Sequence, residues 1–474
     1  MNDIVRTISY ITRGVELSQP RLVQRAIRQN ASVRKGVTSQ QLRSVIDRYV
    51  PISHCSYNDL VTMIDKIPLA PVVDVATMDV VTDDLPPSSP SKEVAPLLPP
   101  SSILCEVEVY ITTLIVTTLL IHKLDSDAAY LSTILIDRIR TFNRRSLDIL
   151  SSKAFFYFSL AYERINKLDV IRPLLLSLYR QSCIRHDEMG QAVLLNLLLR
   201  NFLHYNLVSQ AHTLSQRSSF PETASNNQFC RYLYYMGRIQ AVQLEYSDAY
   251  QRLMMASRKA PQDIAQGFTI VINKLAVIVQ LLMGEIPERR IFNQIETRDA
   301  LKPYLHLTQA VRNGDLQLFN QCMDSYSSAF KADKNYTLVQ RLSHNVLKTG
   351  LRKLSLAYSR ISISDIATKL RLPSTASAEY VCAKAIRDGV IDATIDHEKG
   401  WLITGDIVDL YSTEEPQKAF HKRIAFCLDV HNEAVKSMRY PPDAYKKEIK
   451  NKGQDVEDEK TIEELIKELE EDDG

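Results

Sequence analysis

The chain has 474 residues, more than one ordinary hydrophobic core accommodates, so two or three packed units are expected. Hydrophobic residues make up 45% and charged residues 24% of it, as in soluble globular proteins, and its 13 glycines are too few for a turn-rich β fold. The seven cysteines include no Cys-x-x-Cys pair, which argues against a zinc site, and the net charge of +2 combines a basic body with eleven acidic residues and two lysines from Asp455 onwards.

No targeting or membrane segment is predicted. The first residues lack the apolar core of a signal peptide. The most apolar run, residues 109–121, has 13 residues, whereas a helix that crosses a bilayer needs roughly 20. We therefore expect a soluble protein, and we interpret this run as a buried core helix.

Residues 1–68 are predicted to form a basic, helical N-terminal segment. Residues 69–102 differ from it because Pro, Ser, Asp and Val dominate their composition. Proline fixes φ and removes backbone donors, so this second stretch is predicted to be an extended linker that separates the N-terminal segment from the rest of the chain.

Residues 103–337 alternate between apolar helical stretches and short polar turns, each of which contains one aliphatic or aromatic residue. These turn residues recur about every 30 to 44 positions, which is typical of helix-hairpin repeats of the tetratricopeptide (TPR) type. They are Leu124, Leu168, Leu207, Tyr246, Ile286 and Leu316. One helix pair cannot bury its apolar face alone, so the pairs are predicted to stack into a solenoid with a long contact surface.

Residues 338–412 are predicted to form a winged helix, which consists of three helices and a β-hairpin. The first helix spans 338–359, the second begins after the cap residue Ser362, and the third begins near Ser377. The hairpin follows these helices.

The strands of this hairpin are indicated by alternation. Ile391, Ala393 and Ile395 alternate with polar residues, as in a half-buried strand, and the chain returns at Trp401 after a polar turn.

Residues 413–442 are predicted to form a C-terminal helix, and 443–474 a charged acidic tail. One stripe of the helix is apolar, with the spacing of a helix in a bundle. It consists of Phe420, Ile424, Leu428 and Val435. The predicted fold class is therefore mainly α: a TPR-like solenoid, a winged-helix module and a bundle helix.

Several segments together resemble the family of the 26S proteasome non-ATPase regulatory subunit 3. They are LNLLLRNFLHYNL (195–207), QFCRYLYYMGRIQAVQLEYSDA (228–249), RKAP (258–261), LLMGEIPER (281–289), RLSHNVLKTGLRKLSLAYSRISISDIATKLRL (341–372), AKAIRDGVIDATIDHEKGW (383–401) and residues 411–442. The similarity is continuous over 138–442, whereas the N-terminal part and the acidic tail match poorly.

The resemblance implies a PCI domain, in which helical repeats are capped by a winged helix, and membership of the lid of the 19S regulatory particle. In that family, winged helices associate side by side, and the helices after them gather into a bundle. The implied function is that of a non-catalytic structural and assembly subunit in ubiquitin-dependent protein degradation. The implied partners are other PCI and lid subunits, in the cytoplasm and nucleus, with no membrane.

No catalytic, cofactor-binding or metal-binding residues are predicted. The sequence contains no His-x-His motif, no GxxxxGK[ST] phosphate loop, and no GxSxG or HExxH motif. Its ten histidines are dispersed. Cys230, Cys382 and Cys427 lie among apolar residues, which is typical of core thiols rather than nucleophiles.

Charge argues against nucleic-acid binding by the winged helix. The predicted third helix has equal numbers of acidic and basic residues, and the wing is acidic. Duplex binding requires Lys and Arg to neutralise several phosphates, and neither element supplies them. The first helix has a basic stripe, interpreted as a solvated face or a contact with an acidic neighbour: Arg341, Lys348 and Arg352.

The candidate functional surface is therefore an assembly interface. The segment at 360–363 and the strand at 390–396 could pair with a neighbouring sheet, because edge strands offer unpaired amides. An exposed tryptophan could serve as an interface anchor. The candidate residues are Arg360, Ile361, Ile391, Ile395, Trp401, Phe420, Ile424, Leu428 and Val435.

Two other interpretations remain open from the sequence. The chain could be a PCI scaffold subunit of a related complex, the signalosome or a translation initiation complex. It could also be a nucleic-acid-binding winged-helix protein, although the charges argue against that. The neighbours of each face, and the roles of residues 1–102 and of the acidic tail, are left undetermined.

Overall fold

The computed structural model describes residues 2–439 except 35, 52, 53, 55, 68–103, 143, 222, 223, 262–264, 295, 296 and 406–409. The predicted linker at 69–102 and the predicted tail at 443–474 thus lie outside the described residues. The chain divides into two units, residues 1–403 and 404–474, and each is described by itself.

The first unit is built mainly of helices, and most consecutive helices pack on one another. Up to residue 283 they are α1 (Asn2–Glu16), α2 (Pro20–Val33), α3 (Ser39–Tyr49), α4 (Tyr57–Asp65), α5 (Cys105–Ile121), α6 (Asp125–Thr141), α7 (Asp148–Arg164), α8 (Leu168–Arg185), α9 (Glu188–His204), α10 (Val208–Arg217), α11 (Asn226–Val242), α12 (Tyr246–Lys259) and α13 (Gln266–Met283). A short 3-10 helix, Arg145–Leu147, precedes α7.

A further series of helices leads from the solenoid into a small domain with a three-stranded sheet. These elements are α14 (Arg289–Phe292), α15 (Arg298–Asn313), α16 (Leu316–Ser325), α17 (Ser327–Ala332), α18 (Tyr336–Arg341), α19 (Ser343–Ala357), β1 (Arg360–Ser362), α20 (Ile363–Leu370), α21 (Thr375–Arg387), β2 (Ala393–Asp396) and β3 (Trp401–Thr404). The predicted fold class, a TPR-like solenoid followed by a winged helix, is confirmed.

The turns between repeat helices share one backbone feature, a residue with positive φ just beyond the helix end. Examples are Lys123, Asn166, Asn206, Gly284 and Gly314. A residue in the left-handed conformation at this position allows the amide of the following residue to donate a hydrogen bond to a carbonyl group in the last turn of the helix. The amide of Leu124 donates to the carbonyl of Leu119 (3.0 Å), and that of Leu207 to Phe202 (2.9 Å). Leu124 and Leu207 then pack against the core, which explains why a polar turn and an apolar residue recur together.

The N-terminal helices share one hydrophobic core with the solenoid. Ile4 and Ile8 of α1 are almost fully buried in the same cluster as Ile111 of α5. The hydroxyl groups of Thr7 and Tyr110 lie 3.0 Å apart, and one donates to the other. This differs from the prediction of an N-terminal segment that the linker separates from the rest. Local periodicity predicts the helices but not the core that takes up their apolar faces.

One described helix, α13, is long and apolar enough to cross a membrane by length and composition alone. It packs between α12 and α15, and its Leu275 and Ile278 are buried. Lys274, near its middle, donates to both carboxylate oxygens of Asp333 at 2.9 Å. We therefore assign α13 to the solenoid core. The apolar run predicted to be a core helix lies within α5, where residues 106–120 are all buried.

The winged helix differs from the prediction at its first helix. The predicted helix 338–359 is two helices, α18 and α19, because Leu342 between them makes a tighter turn: its amide donates to Val339, three residues back, at 3.0 Å. Ser362 caps α20 as predicted, with its hydroxyl oxygen accepting from the Asp365 amide at 3.1 Å. The third helix, α21, begins at Thr375, slightly earlier than predicted.

The described part of the second unit contains a 3-10 helix, Leu410–Ser412, and one long helix, α22 (Glu415–Arg439).

Candidate assembly surface

The sheet of the winged helix has two edges. Its strand order is β1-β3-β2, so β3 occupies the centre. β1 and β3 are antiparallel, with Arg360 opposite Ile403 and Ile361 opposite Leu402. Within the described residues, β1 and β2 therefore each have one strand neighbour, and the far side of each could pair with another chain.

The structure places the side chains of two predicted interface residues in the core, so their contribution to an interface is limited to the backbone of the strand edges. Ile361 and Ile391 are each only 4% exposed and belong to the core of the winged helix. Alternate side chains of a strand point to opposite faces, and Ile361 faces inward beside Leu402, which is also buried. In this conformation, these side chains are therefore not available to a partner. Ile395 is half-buried against the same core.

Two other predicted residues of the sheet are accessible. Arg360, at the start of β1, is exposed, and Trp401, at the start of β3, keeps 43% of its surface exposed. A large aromatic side chain with that exposure offers apolar area to a partner, and the guanidinium group offers charge and hydrogen bonds. These two residues remain candidates from the sheet.

Two acidic side chains on or just after α21 form ion pairs within the domain. Glu379 Oε1 lies 2.7 Å from Nδ1 of His397 on the wing. Asp388 forms a 2.9 Å ion pair with Lys348 of α19, and this hydrogen bond holds the pKa of Asp388 below its usual value. One cation of the predicted basic stripe is thus neutralised by the chain itself, which weakens the case for nucleic-acid binding further.

The apolar side chains of α22 are exposed. Phe420 is 63%, Ile424 57% and Leu428 55% exposed, and Val435 is half-buried. None of the described α22 residues is buried. A soluble helix normally buries such a stripe, so these side chains form a surface that is suited to other helices.

Sequence reasoning missed part of this surface. Phe426 is 67%, Val430 48% and Met438 79% exposed, and they lie outside the predicted stripe or beyond its end. At about 100° per residue, Phe426 and Val430 extend the apolar surface around the helix from Phe420, so that it covers roughly half of the circumference. A helical-wheel count over the whole segment would have found them.

Of the three cysteines predicted to be buried in the core, only two are buried. Cys230 and Cys382 are buried, and burial raises the pKa of Cys382 to about 11, so it is not an activated nucleophile. Cys427 is exposed, which corrects its prediction as a core residue. Its place on the exposed helix α22, rather than its apolar sequence neighbours, decides this. The described residues contain no cluster of three or more His, Cys, Asp or Glu side chains that could hold a metal ion.

Comparison with known protein families places these features in context. The family described as "PSMD3-like, N-terminal TPR repeats" matches residues 1–308, and the PCI domain matches 323–406. The family of C-terminal regions of proteasome regulatory subunits matches 409–474. A relative from Nicotiana tabacum, named probable 26S proteasome non-ATPase regulatory subunit 3, is 44% identical over 441 residues, which cover 92% of this chain and 87% of the relative.

The chain belongs to the family of the 26S proteasome non-ATPase regulatory subunit 3.

Other members of this family agree over nearly the full length. The 26S proteasome non-ATPase regulatory subunit 3 of Dictyostelium discoideum is 44% identical over 451 residues, covering 94% of this chain and 87% of that protein. The probable 26S proteasome regulatory subunit rpn3 of Schizosaccharomyces pombe is 42% identical over 451 residues, with 95% and 87% coverage. The resemblance found in the sequence is thus confirmed, and it extends into the N-terminal helices and the acidic tail.

Proposed function

We propose that this chain is a non-catalytic structural and assembly subunit of the lid of the proteasome regulatory particle. The observation that carries the proposal is the exposed apolar surface of α22 in a chain whose family is named for the proteasome. The winged helix adds two strand edges and Trp401 as contacts for other PCI subunits. The function is to hold partners in place for ubiquitin-dependent degradation.

The proposed domain boundaries rest on the changes in sequence pattern along the chain. We assign 1–68 to an N-terminal helical segment, 69–102 to a linker, 103–337 to the repeats, 338–412 to the winged helix, 413–442 to the C-terminal helix and 443–474 to an acidic tail. The family matches at 1–308, 323–406 and 409–474 support this order of parts. The cytoplasm and nucleus are the proposed location.

The test is recovery of lid subunits with tagged protein. Replacing Ile424 and Leu428 with Asp puts charges into the proposed helix contact, and we expect at least about tenfold less of each lid subunit to co-purify. Deleting 411–442 should have the same effect. The matched control places two aspartates on the polar face of α22, with Lys422→Asp and Lys436→Asp, and should recover the full set.

Equal recovery with both double variants would contradict the role of α22. Recovery of signalosome or translation initiation subunits instead of lid subunits would support the alternative scaffold. The absence of catalysis is tested separately, since a purified chain that turned over a substrate by itself would contradict a purely structural role.

A further inference from the structure

Arginine side chains form one exposed face of the first two helices. Helices α1 and α2 pack on each other. Helix α2 carries three arginines at i, i+4 and i+7, which places them on one side of the helix, and it contains no acidic residue. All three are exposed, and a fourth exposed arginine belongs to α1. The four residues of this arginine face are Arg21, Arg25 and Arg28 of α2 and Arg6 of α1.

Two of these arginines, one from each helix, meet at the ring of Tyr10. The guanidinium carbon of Arg25 lies 5.1 Å from the ring centre, and that of Arg6 lies 5.8 Å from it. Arg6 Nε also donates to the Tyr10 hydroxyl group at 3.1 Å. Tyr10 is only 6% exposed, so packing in the core fixes the position of its ring. An aromatic ring attracts guanidinium groups, so Tyr10 orients both side chains while its ring adds no net charge.

The arginine face has no carboxylate partner in the described part of the chain. No ion pair among the described residues involves any of its four members. Helix α1 has two acidic residues, Asp3, one turn before Arg6, and Glu16 at the helix end, and neither pairs with these arginines. By contrast, Arg43 of α3 is paired with Asp65. Four arginines on one face without a paired acid produce a positive potential that attracts anions.

We propose that Arg6 and Arg25 bind a phosphorylated side chain of a protein partner. A phosphate group carries up to two negative charges and three acceptor oxygens, so it can accept from two guanidinium groups at once, whereas one carboxylate neutralises only one of them. Arg21 and Arg28 lie about one turn from Arg25 on either side, where they meet acidic residues that flank the phosphorylated one. Leu17, 60% exposed in the turn that leads into α2, offers apolar contact area.

The dimensions of the arginine face favour a protein partner over nucleic acid or a small phosphate compound. From Arg21 to Arg28 it spans about 10 Å along α2, at roughly 1.5 Å per residue, which accommodates one phosphate and its immediate neighbours. Duplex binding requires the neutralisation of several phosphates along a longer track. Because all four side chains are exposed, the described residues do not enclose a small anion, whereas a peptide adds contacts along the helix. None of these residues belongs to the candidate assembly surface, so the site goes beyond the proposed function.

The experiment uses the purified full-length chain and an array of short peptides with randomised flanking positions. Each peptide has phosphoserine, phosphothreonine, serine or aspartate at its centre. We expect the chain to select phosphorylated peptides with Asp or Glu near the centre. In fluorescence anisotropy at physiological salt, the tightest of them should bind at least about tenfold more tightly than its serine and aspartate counterparts. Selection of no phosphorylated peptide, or equal binding of the aspartate counterpart, would overturn the proposal.

Substitutions of the two central arginines test the site itself. Arg6→Gln and Arg25→Gln should each weaken binding of the selected peptide by about tenfold or more, and Arg25→Lys, which keeps the charge, should lose less. The matched control is Arg48→Gln, because Arg48 lies 5.7 Å from the ring centre of Tyr49 on a different helix. This variant should bind as the unmodified chain does. Equal binding by the Arg25→Gln and Arg48→Gln variants would overturn the site, whatever their Tm values.

A double-mutant cycle tests whether Tyr10 positions Arg6. Tyr10→Phe keeps the ring and removes the acceptor of the hydrogen bond from Arg6. It should weaken peptide binding about threefold in the unmodified chain and have little further effect in the Arg6→Gln chain. Equal losses in both backgrounds would contradict the positioning role of Tyr10.

Two other probes test the class of the partner. A duplex RNA or inositol hexakisphosphate that bound more tightly than the selected phosphopeptide, at the same salt concentration, would overturn the assignment to a protein partner. The α22 double variant with Ile424→Asp and Leu428→Asp should bind the phosphopeptide as the unmodified chain does. Its result separates a failure of this site from a failure of the proposed function.

Discussion

Asp148 illustrates how burial changes the chemistry of a residue. Burial at the start of α7 raises its pKa to about 6, the nearby Asp187 adds to the shift, and Arg185 and Arg145 oppose it. The folded chain therefore holds this proton more tightly than the unfolded chain does. Ionisation of Asp148 destabilises the folded state, and this effect is absent below its ordinary pKa of 3.8 and complete above about 6.

We predict that Asp148→Asn stabilises the protein more at pH 7.5 than at pH 4. Because Asp148 is partly exposed, solvent reduces the effect, and we expect a difference of about 1–2 kcal/mol between the two pH values. Urea unfolding at both pH values measures it. Asp324→Asn, an exposed acid on α16, is the control and should show little pH dependence. A gain for Asp148→Asn that did not change with pH would contradict the prediction.

Gly190 illustrates a steric constraint on a single residue. Its amide donates to Asp187 Oδ1 at 2.9 Å, so Asp187 caps α9. A Cβ atom at position 190 would lie 2.0 Å from Asp187 Oδ2. We predict that Gly190→Ala displaces the cap and lowers the free energy of unfolding by about 1–2 kcal/mol, measured by urea unfolding. A stability within error of the unmodified chain would show that Asp187 moves without loss.

Between elements, the junction of the solenoid and the winged helix depends on two glycines. Gly314 ends α15 with φ of +70°, and Gly350 lies in α19 directly against it. A Cβ on Gly314 would come within 2.6 Å of the Gly350 Cα atom, and one on Gly350 within 2.9 Å of the Gly314 carbonyl oxygen. Backbone atoms on both sides cannot rotate away, so the two helices pack this closely only without side chains.

We predict that Gly350→Ala moves α19 away from α15 and destabilises the junction by about 1–3 kcal/mol. Thermal unfolding should show the loss, and hydrogen exchange should increase in α20, because the new Cβ would also meet Leu370 at 2.7 Å. Gly36→Ala, where the structure has nothing within 4 Å, is the matched control and should change stability by less than about 0.5 kcal/mol. Equal stability of the two variants would show that the contact can relax.

For the molecule as a whole, the N-terminal helices are held by polar as well as apolar contacts. Glu108 of α5 is 3% exposed and accepts from Ser56 Oγ at 2.8 Å and from Arg138 Nη1 at 2.5 Å. Lys66, just after α4, pairs with Asp127 of α6 at 2.6 Å. The bonds of Ser56 with Glu108 and of Lys66 with Asp127 connect residues on both sides of the predicted linker.

We predict that a chain cut within the predicted linker stays together. A protease site inserted near residue 85 should yield two fragments that co-elute in size-exclusion chromatography. Glu108→Ala would remove the buried carboxylate that Ser56 and Arg138 bind, costing about 2–3 kcal/mol, and should let the fragments separate more readily. Glu285→Ala, at an exposed position, is the control. Separate elution of the cut, otherwise unmodified chain would contradict a shared core.

By itself, the sequence determined the features that depend on neighbours a few positions apart. The turns near Leu124 and Leu207, the cap at Ser362 and the apolar stripe of α22 all arise from local backbone preferences and helical periodicity, and each was predictable. The family resemblance added the assembly role, which periodicity alone does not contain.

Only the tertiary structure decided which of these residues face inward and which remain available. Ile361 and Trp401 are both apolar residues on strands, yet one lies in the core and the other is exposed, because the register of β1 and β3 sets the face of each. Ser56 and Glu108 are far apart in the chain, and their side chains meet only when the N-terminal helices pack on α5. Contacts between distant segments depend on which apolar helix faces pack together in one core. No short stretch of sequence specifies this packing.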